Sequence, residues 1–117
     1  MDIVFIRGLE VETTIGAYDW EQSIKQKLIL DLELSCDTRI AAKTDNLEDA
    51  LDYAVISQEI IDFLGKSHFQ LLETLADRVA DLILCAFNIE EVKLKVSKPA
   101  AVSLAREVGV MITRSKS

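Results

Sequence analysis

The segment from Lys27 to Cys36 alternates between apolar and polar residues. Leucines occupy every second position from Leu28 to Leu34, and charged or hydroxyl side chains fill the positions between them except at Ile29. This period-two pattern is typical of a β-strand that buries one face and leaves the other face open. The segment therefore predicts a sheet that is covered on one side.

Three further segments have strand character. The first runs from Ile3 to Thr14 and is interrupted at Gly8, which predicts a bend or a bulge there. Another covers residues 92 to 97, where valine and leucine alternate with polar residues, and Pro99 closes it. The last spans residues 108 to 112. Together with the leucine-rich segment they predict four strands.

Two helices are predicted in the middle of the chain. Turn and capping residues from Thr44 to Asp49 precede the first helix, which begins near Tyr53 and ends at Gly65. The second runs from about Leu71 to Phe87 and has an apolar stripe at helical spacing. Residues 100 to 106 are ambiguous between a loop and a helical turn.

These elements give the order ββααββ in a single α+β domain that spans residues 1–117. We expect a four-stranded antiparallel sheet with both helices on one face. The outer strands contain no proline within them, and long unprotected edges favour pairing with another chain. Closure of several sheets into one barrel would remove these edges, which predicts a ring-shaped homo-oligomer.

The composition limits the classes of partner. Half of the residues are apolar, 28% are charged, and the formal net charge is −7. Proteins that bind nucleic acids need a basic surface, so we expect no nucleic-acid partner. No apolar run approaches the roughly 20 residues of a membrane span, so we expect no membrane partner either. Cys36 and Cys85 lack metal-ligand spacing, and we interpret both as buried reduced thiols in a cytoplasmic protein.

Lys98 is the first candidate for chemistry. It is in phase with Leu94 and Val96, so it ends an apolar stripe, whereas Lys93 and Lys95 point the other way. A lysine at the edge of a core is partly desolvated, and desolvation favours proton exchange near neutral pH. The alternative interpretation is a lysine that extends from a strand end into solvent.

Three other candidates are ambiguous when taken singly. Glu73 lies in the first turn of the second helix, where a carboxylate either complements the helix dipole or binds a ring that presents N–H donors. Tyr53 begins the first helix on its apolar face, where a tyrosine usually packs at the boundary with its hydroxyl in water. Glu21 follows Trp20 in a polar loop, where an acid is normally solvated.

Several kinds of site are disfavoured. His68 is the one histidine in the sequence, so a zinc site with two or three histidines from one chain is excluded. The sequence has no P-loop, no dinucleotide fingerprint and no nucleophile-elbow motif. We therefore expect a site without metal or cofactor.

Four segments in order resemble the dihydroneopterin aldolase family of the folate pathway, over essentially the whole chain. They are Ile15-Gly16-Ala17 followed by Glu21, Thr44-Asp45-Asn46-x-x-Asp49-x-x-x-Tyr53, Leu71-Leu72-Glu73-x-Leu75-Ala76, and Val96-Ser97-Lys98-Pro99. The resemblance implies the tunnelling fold, in which subunits join into a tetrameric ring and two rings stack into an octamer. It also implies active sites between subunits, with the tyrosine supplied by the neighbour.

The activity that the resemblance implies is retro-aldol cleavage of 7,8-dihydroneopterin, without a metal and without a lysine Schiff base. Lys98, Tyr53 and Glu21 take the catalytic roles on this basis. Glu73 and the backbone of Leu72 take the substrate-binding roles, together with Tyr53. The pterin is thus the expected small-molecule partner.

Two departures concern the substrate-side loops. Some family members carry a histidine beside the Gly-Ala turn, where this chain has Ile15, and the segment after Pro99 is shorter and less aromatic than in some relatives. Two alternatives stay open at this point. They are a dihydroneopterin triphosphate 2′-epimerase on the same scaffold and a non-catalytic pterin-binding module.

Overall fold

The computed structural model describes residues 1–99 and 101–116. Five strands form one sheet in the order β3-β1-β2-β4-β5. Their bounds are β1 Asp2–Ile15, β2 Gln26–Cys36, β3 His68–Phe69, β4 Glu91–Pro99 and β5 Glu107–Ser115. The pairs β1–β2, β2–β4 and β4–β5 are antiparallel, as predicted.

The predicted four-stranded, wholly antiparallel sheet is wrong in one respect. The short strand β3 pairs in parallel with Thr14 and Ile15 at the end of β1, so the sheet has five strands and is mixed. A strand of two residues is too short to show an alternating pattern, and its pairing depends on where the helices bring it.

Among the described residues, three helices accompany the sheet: α1 Arg39–Thr44, α2 Tyr53–Gly65 and α3 Leu72–Ala86. Helices α2 and α3 confirm the two predicted helices. The short helix α1 was not predicted, and none of its residues is buried. Single 3-10 turns occur at Asp19–Ser23 and Leu47–Asp49. In the described part of the chain, no helix combines the length and apolar character that crossing a bilayer requires.

The core lies between the sheet and helices α2 and α3. The alternating leucines of β2 are at most 1% exposed, which confirms that this face of the strand is buried. They pack against side chains that recur at helical spacing. Those of α2 are Ile56, Ile60 and Leu64, and those of α3 are Leu75, Ala76, Val79, Ala80 and Ile83.

The predicted irregularity at Gly8 is a β-bulge. Ile6 pairs with Leu32 and Leu9 pairs with Leu30, so both Arg7 and Gly8 stand opposite Asp31. Gly8 has φ +70°, a left-handed conformation that glycine adopts readily, and its N–H donates to Asp31 Oδ1 at 2.8 Å. The extra residue reverses the inward phase of β1, so the odd-numbered Val11, Thr13 and Ile15 are buried beyond the bulge.

The two main helices run back and forth across the sheet. The Thr13 hydroxyl donates to the carbonyl of Leu64 at 2.6 Å, so α2 ends beside the C-terminal end of β1. Strand β3 then joins β1 there, and α3 begins three residues after Phe69. Residues 13–16, 26–28 and 97–99 lie together at one end of the strands, and we call this part of the sheet the lysine end.

The two cysteines differ in exposure. Cys36 is 5% exposed at the end of β2, and burial raises the pKa of its thiol. Cys85 is exposed on α3, which corrects the prediction that both thiols are buried. Cys85 lies one helical turn after Asp81, on the side of α3 away from the apolar stripe. Both are free thiols. The cytoplasmic location stays a prediction.

Candidate active site

Lys98 lies where the phase of β4 predicted. Its side chain shares the covered face with Leu94 and Val96, and it is 17% exposed. Its Nζ donates to Glu21 Oε2 at 2.6 Å. The lysine is therefore partly withdrawn from solvent at the lysine end, and it is held by a specific carboxylate instead of extending freely into water.

Glu21 is buried, although loop acids are usually solvated. The residue sits in the 3-10 turn Asp19–Ser23 and is 5% exposed. Its Oε2 accepts hydrogen bonds from Lys98 Nζ and, at 2.9 Å, from Gln26 Nε2. The Tyr18 N–H points at Oε1 over 3.4 Å. The hydrogen bond from Lys98, followed by that from Gln26, lowers the pKa of Glu21 and outweighs the desolvation that would raise it.

Gly16 makes room for this carboxylate. Its φ of +136° is strained for any residue with a side chain. A Cβ built on Gly16 would lie 2.1 Å from Glu21 Cδ and 2.3 Å from Oε1. The Glu21 carboxylate thus lies directly against the backbone at Gly16, which explains why a glycine stands at this turn.

The Glu21 loop is tied to β3. The Gly16 N–H donates to the carbonyl of Phe69 at 3.1 Å. Gln22 Nε2 donates to the carbonyls of both Gly16, at 2.6 Å, and Phe69, at 3.1 Å. These bonds fix the Glu21–Lys98 pair relative to the segment that leads into α3.

The start of α3 supplies Leu72 and Glu73 at the lysine end. Leu71 is the N-cap residue, and its apolar side chain makes no capping hydrogen bond. The first-turn N–H groups are thus open to a ligand, as helix N-termini generally are. Leu72 is half-buried and packs against the core, while Glu73 is exposed. Because Phe69 pairs with Ile15 and α3 begins three residues later, Glu73 lies at the same end of the sheet as Lys98.

Tyr53 lies at the opposite end of the subunit. It is the first residue of α2, a helix of 13 residues and therefore about 20 Å long, whose other end touches Thr13. The residue is 64% exposed and lines a groove of about 370 Å³ with Val4 and Cys36. One subunit therefore does not bring Tyr53 to Lys98.

The arrangement at the lysine end suits acid–base chemistry on a planar ring. Lys98 can donate or accept a proton while Glu21 stabilises its charged form. The exposed Glu73 carboxylate and the free backbone N–H groups beside it can bind the edge of a heterocycle. Within residues 1–99 and 101–116, no group of three or more histidine, cysteine or acidic side chains is arranged to hold a metal ion.

Gln26 is a site residue that the sequence reasoning missed. It is the first residue of β2 and is in phase with Leu28, so a polar side chain stands in the apolar register. This is the same signal that identified Lys98 on β4. The burial of Glu21 was missed as well, because it depends on contacts that are distant in sequence, such as the one with Lys98 77 residues away.

Comparisons with known proteins agree on one family. The family model described as FolB, dihydroneopterin aldolase, matches residues 4–113. The chain is 50% identical over 114 residues to the dihydroneopterin aldolase of Escherichia coli strain K12, covering 97% of this chain and 93% of that protein. It is also 50% identical to the Haemophilus influenzae dihydroneopterin aldolase, covering 97% of each chain.

Solved structures give the same result. The E. coli dihydroneopterin aldolase in complex with neopterin superposes with a TM-score of 0.95 at 50% identity, covering 98% of this chain and all (100%) of that one. The Burkholderia thailendensis dihydroneopterin aldolase bound to guanine gives a TM-score of 0.83 at 26% identity, covering 99% of this chain and 92% of that one.

Proposed function

The chain belongs to the dihydroneopterin aldolase family, and we propose on this basis that it cleaves 7,8-dihydroneopterin into 6-hydroxymethyl-7,8-dihydropterin and glycolaldehyde. It is a lyase of the aldolase type. The observation that carries the proposal is the ion pair between the partly buried Lys98 and the buried Glu21, which shares one end of the sheet with the open start of α3.

The substrate can serve as its own electron sink. Cleavage of the C1′–C2′ bond leaves the electron pair on C1′, and the dihydropterin ring accepts it once N5 is protonated. C2′ leaves as the carbonyl carbon of glycolaldehyde after its hydroxyl has lost a proton. The protein therefore has to remove the 2′-hydroxyl proton and protonate N5, and later to protonate C1′ while N5 gives up its proton again, and it has to hold the ring in place throughout.

Lys98 is proposed to carry these proton transfers together with a bound water. Its amine is partly desolvated, and the buried Glu21 carboxylate holds it in position. Glu21 supports the charged form of the lysine and fixes the direction of the Nζ. These contacts are the reason for assigning the proton-transfer role to Lys98 instead of to the exposed Lys93 on the opposite face of β4.

Glu73 is proposed to bind the 2-amino and N3 edge of the pterin, with help from the Leu72 backbone. Neopterin and guanine, which the two solved relatives hold, share an amino group beside a ring N–H on that edge. A carboxylate accepts two such donors side by side, as it does from an arginine. The exposed Glu73 at the open start of α3 can serve as this acceptor.

Tyr53 is proposed to reach the site from a neighbouring subunit, where it protonates or orients the side-chain carbon. Its position about one helix length from Lys98 in the same subunit supports this arrangement. We further propose that subunits assemble into a tetrameric ring, that two rings form an octamer, and that re-addition of glycolaldehyde permits epimerisation at C2′.

The test uses purified protein, 7,8-dihydroneopterin and direct detection of glycolaldehyde. We expect Lys98→Ala to lower kcat by at least about 100-fold with pterin affinity largely kept, because proton transfer is lost and ring binding is not. Glu73→Ala should chiefly weaken pterin binding, by about 10-fold or more. Lys93→Ala is the matched control, since Lys93 is an exposed lysine on the same strand, and it should retain full turnover.

Near-normal turnover by Lys98→Ala would contradict the assigned role. Pterin binding without any turnover in the unsubstituted protein would favour a binding module over an enzyme. Dihydroneopterin triphosphate is the second substrate in the assay, because faster conversion of the triphosphate at C2′ without glycolaldehyde release would favour the epimerase.

A further inference from the structure

We propose that Gln26 is a positioning residue of this site, which holds the Glu21 carboxylate against Lys98 and thereby sets the rate of proton transfer. The inference rests on the proposed aldolase function and adds a residue to it. Among the described residues, Gln26 makes no hydrogen bond to Lys98 or to the open start of α3. Its effect on the site therefore passes through Glu21.

The register of Gln26 places a polar side chain on the covered face of the sheet. Gln26 begins β2 in phase with Leu28 and Leu30, both of which are fully buried, and it is itself half-buried. A polar side chain at such a position costs free energy unless its hydrogen-bonding groups are used. We therefore infer the function of the Gln26 side chain from the hydrogen bonds that it makes.

The side-chain amide of Gln26 joins Glu21 to the backbone of β1. Gln26 Nε2 donates one N–H to Glu21 Oε2 at 2.9 Å and the other to the carbonyl of Ile15 at 2.8 Å. Reversal of the amide would place its oxygen against two acceptors, so the hydrogen-bond network itself fixes the orientation. Because Ile15 belongs to the backbone of β1, the amide ties the Glu21 carboxylate to the rigid sheet.

Gln26 is a neutral donor beside a charged one. Oε2 of Glu21 accepts from Gln26 and from Lys98 at the same time, and Lys98 is the charged side chain that contacts it. From the loop, the backbone of Tyr18 and Gly16 faces the carboxylate. A neutral donor at position 26 stabilises the ionised carboxylate without competing with Lys98 as its counter-ion. A glutamine therefore fits at position 26, whereas a second cation would compete with Lys98 for the Glu21 carboxylate.

Gln26→Leu is the main test, because leucine has a similar volume and no donor. We expect kcat to fall about 10-fold or more, since small displacements of catalytic groups are costly, while KM changes by less than about threefold. The acid limb of the pH–rate profile should move to higher pH, because Glu21 loses one of its two side-chain donors. Gln58→Leu, the same change at an exposed position of α2, should leave kcat, KM and the pH–rate profile unchanged.

Gln26→Glu provides a second variant with a distinct signature. Its carboxyl can donate to Glu21 when protonated, but it repels Glu21 when ionised. Activity should therefore be low at neutral pH and should recover in part as the pH falls. Unchanged rates and pH profiles in both variants, or a loss of kcat matched by an equal rise in KM without a shift of the profile, would overturn the proposal.

A titration of Glu21 tests the role of Gln26 without an activity measurement. Carbon-detected NMR of the Glu21 carboxyl should show a pKa below its ordinary value in the unsubstituted protein and a higher pKa in Gln26→Leu. If Gln26→Leu does not fold, Gln26→Glu takes its place, and a Glu21 midpoint that does not change overturns the proposal. Absence of turnover in the unsubstituted protein would instead count against the aldolase function and would leave this titration intact.

Discussion

At the scale of single residues, the site depends on a loop carboxylate that the fold has buried. Glu21 is 5% exposed and has a lysine and a glutamine as donors. A buried ion pair is stabilising only if its remaining hydrogen-bonding positions are satisfied. Gln26 and the Tyr18 N–H meet that condition here, so the pair can persist with little access to water.

The ion pair predicts a pH dependence of stability. The pKa of Glu21 is lowered in the folded protein from its ordinary value of 4.5. Ionised Glu21 therefore stabilises the fold fully above that ordinary value, and its contribution is lost as the pH falls through the lowered folded pKa. We expect Glu21→Gln to be less stable than the unsubstituted protein at neutral pH and to lose less stability on acidification.

Urea unfolding at fixed protein concentration, between about pH 3 and pH 7, measures this effect. Glu59→Gln, a change at an exposed position of α2, is the control and should follow the unsubstituted protein. Equal acid-induced losses of unfolding free energy in Glu21→Gln and the unsubstituted protein would show that the pair does not contribute.

How far the sequence predicts these residues depends on the range of their contacts. Lys98 was located correctly because its orientation follows from the phase of its own strand. Glu21 could not be recognised as buried, since its surroundings come from β4, β2 and the Gly16 turn. Only the tertiary arrangement brings these segments together. Gln26 is the part of these surroundings that the sequence does signal, because it is a polar residue in an apolar register.

At the scale of elements, two glycines of the first strand and its turn shape the site. Gly8 forms the bulge that reverses the inward phase of β1, and Gly16 ends the strand beside Glu21. Both have positive φ. They differ in their surroundings, because a Cβ at Gly8 would meet nothing within 4 Å, whereas a Cβ at Gly16 would meet the Glu21 carboxylate.

This difference predicts separate effects of two alanine substitutions. Gly8→Ala should lower the free energy of unfolding by about 1–2 kcal/mol, the cost of a left-handed conformation, and should keep turnover. Gly16→Ala should cost about 1–3 kcal/mol through backbone strain and should also lower kcat by about 10-fold or more, since the flexible Glu21 side chain has to move away from Lys98. Denaturant unfolding and glycolaldehyde release measure the two effects.

The opposite pattern, with loss of turnover in Gly8→Ala and normal turnover in Gly16→Ala, would contradict this account of the turn. So would unchanged stability in both variants.

The long elements were predictable and the short ones were not. Four strands and helices α2 and α3 follow from periodic patterns that extend over many residues. Strand β3 has two residues and helix α1 has six, and neither is long enough to produce a period. Their existence depends on contacts with β1 and on local turn geometry, which a pattern of apolar residues does not encode.

At the scale of the whole molecule, the proposed catalytic and substrate-binding residues are divided between two ends of one subunit. Lys98, Glu21, Leu72 and Glu73 belong to the lysine end, and Tyr53 belongs to the opposite end. In the described part of the chain, β5 pairs with β4 alone, so its other edge is open. Two large apolar side chains beside Tyr53 are also exposed, namely Leu47, which lines a groove with it, and Val55, two residues along α2. These features favour assembly with further copies.

The central claim is that Lys98 of one subunit acts with Tyr53 of its neighbour, and mixing two defective variants tests it most directly. Lys98→Ala and Tyr53→Ala would be co-expressed, and mixed oligomers would be verified by sedimentation and mass spectrometry. We predict recovery of glycolaldehyde release up to about a quarter of the unsubstituted rate, because a random mixture places both intact residues at one interface in four. Mixed oligomers with no more activity than the separate variants, or a protein that stays monomeric at micromolar concentration, would contradict the claim.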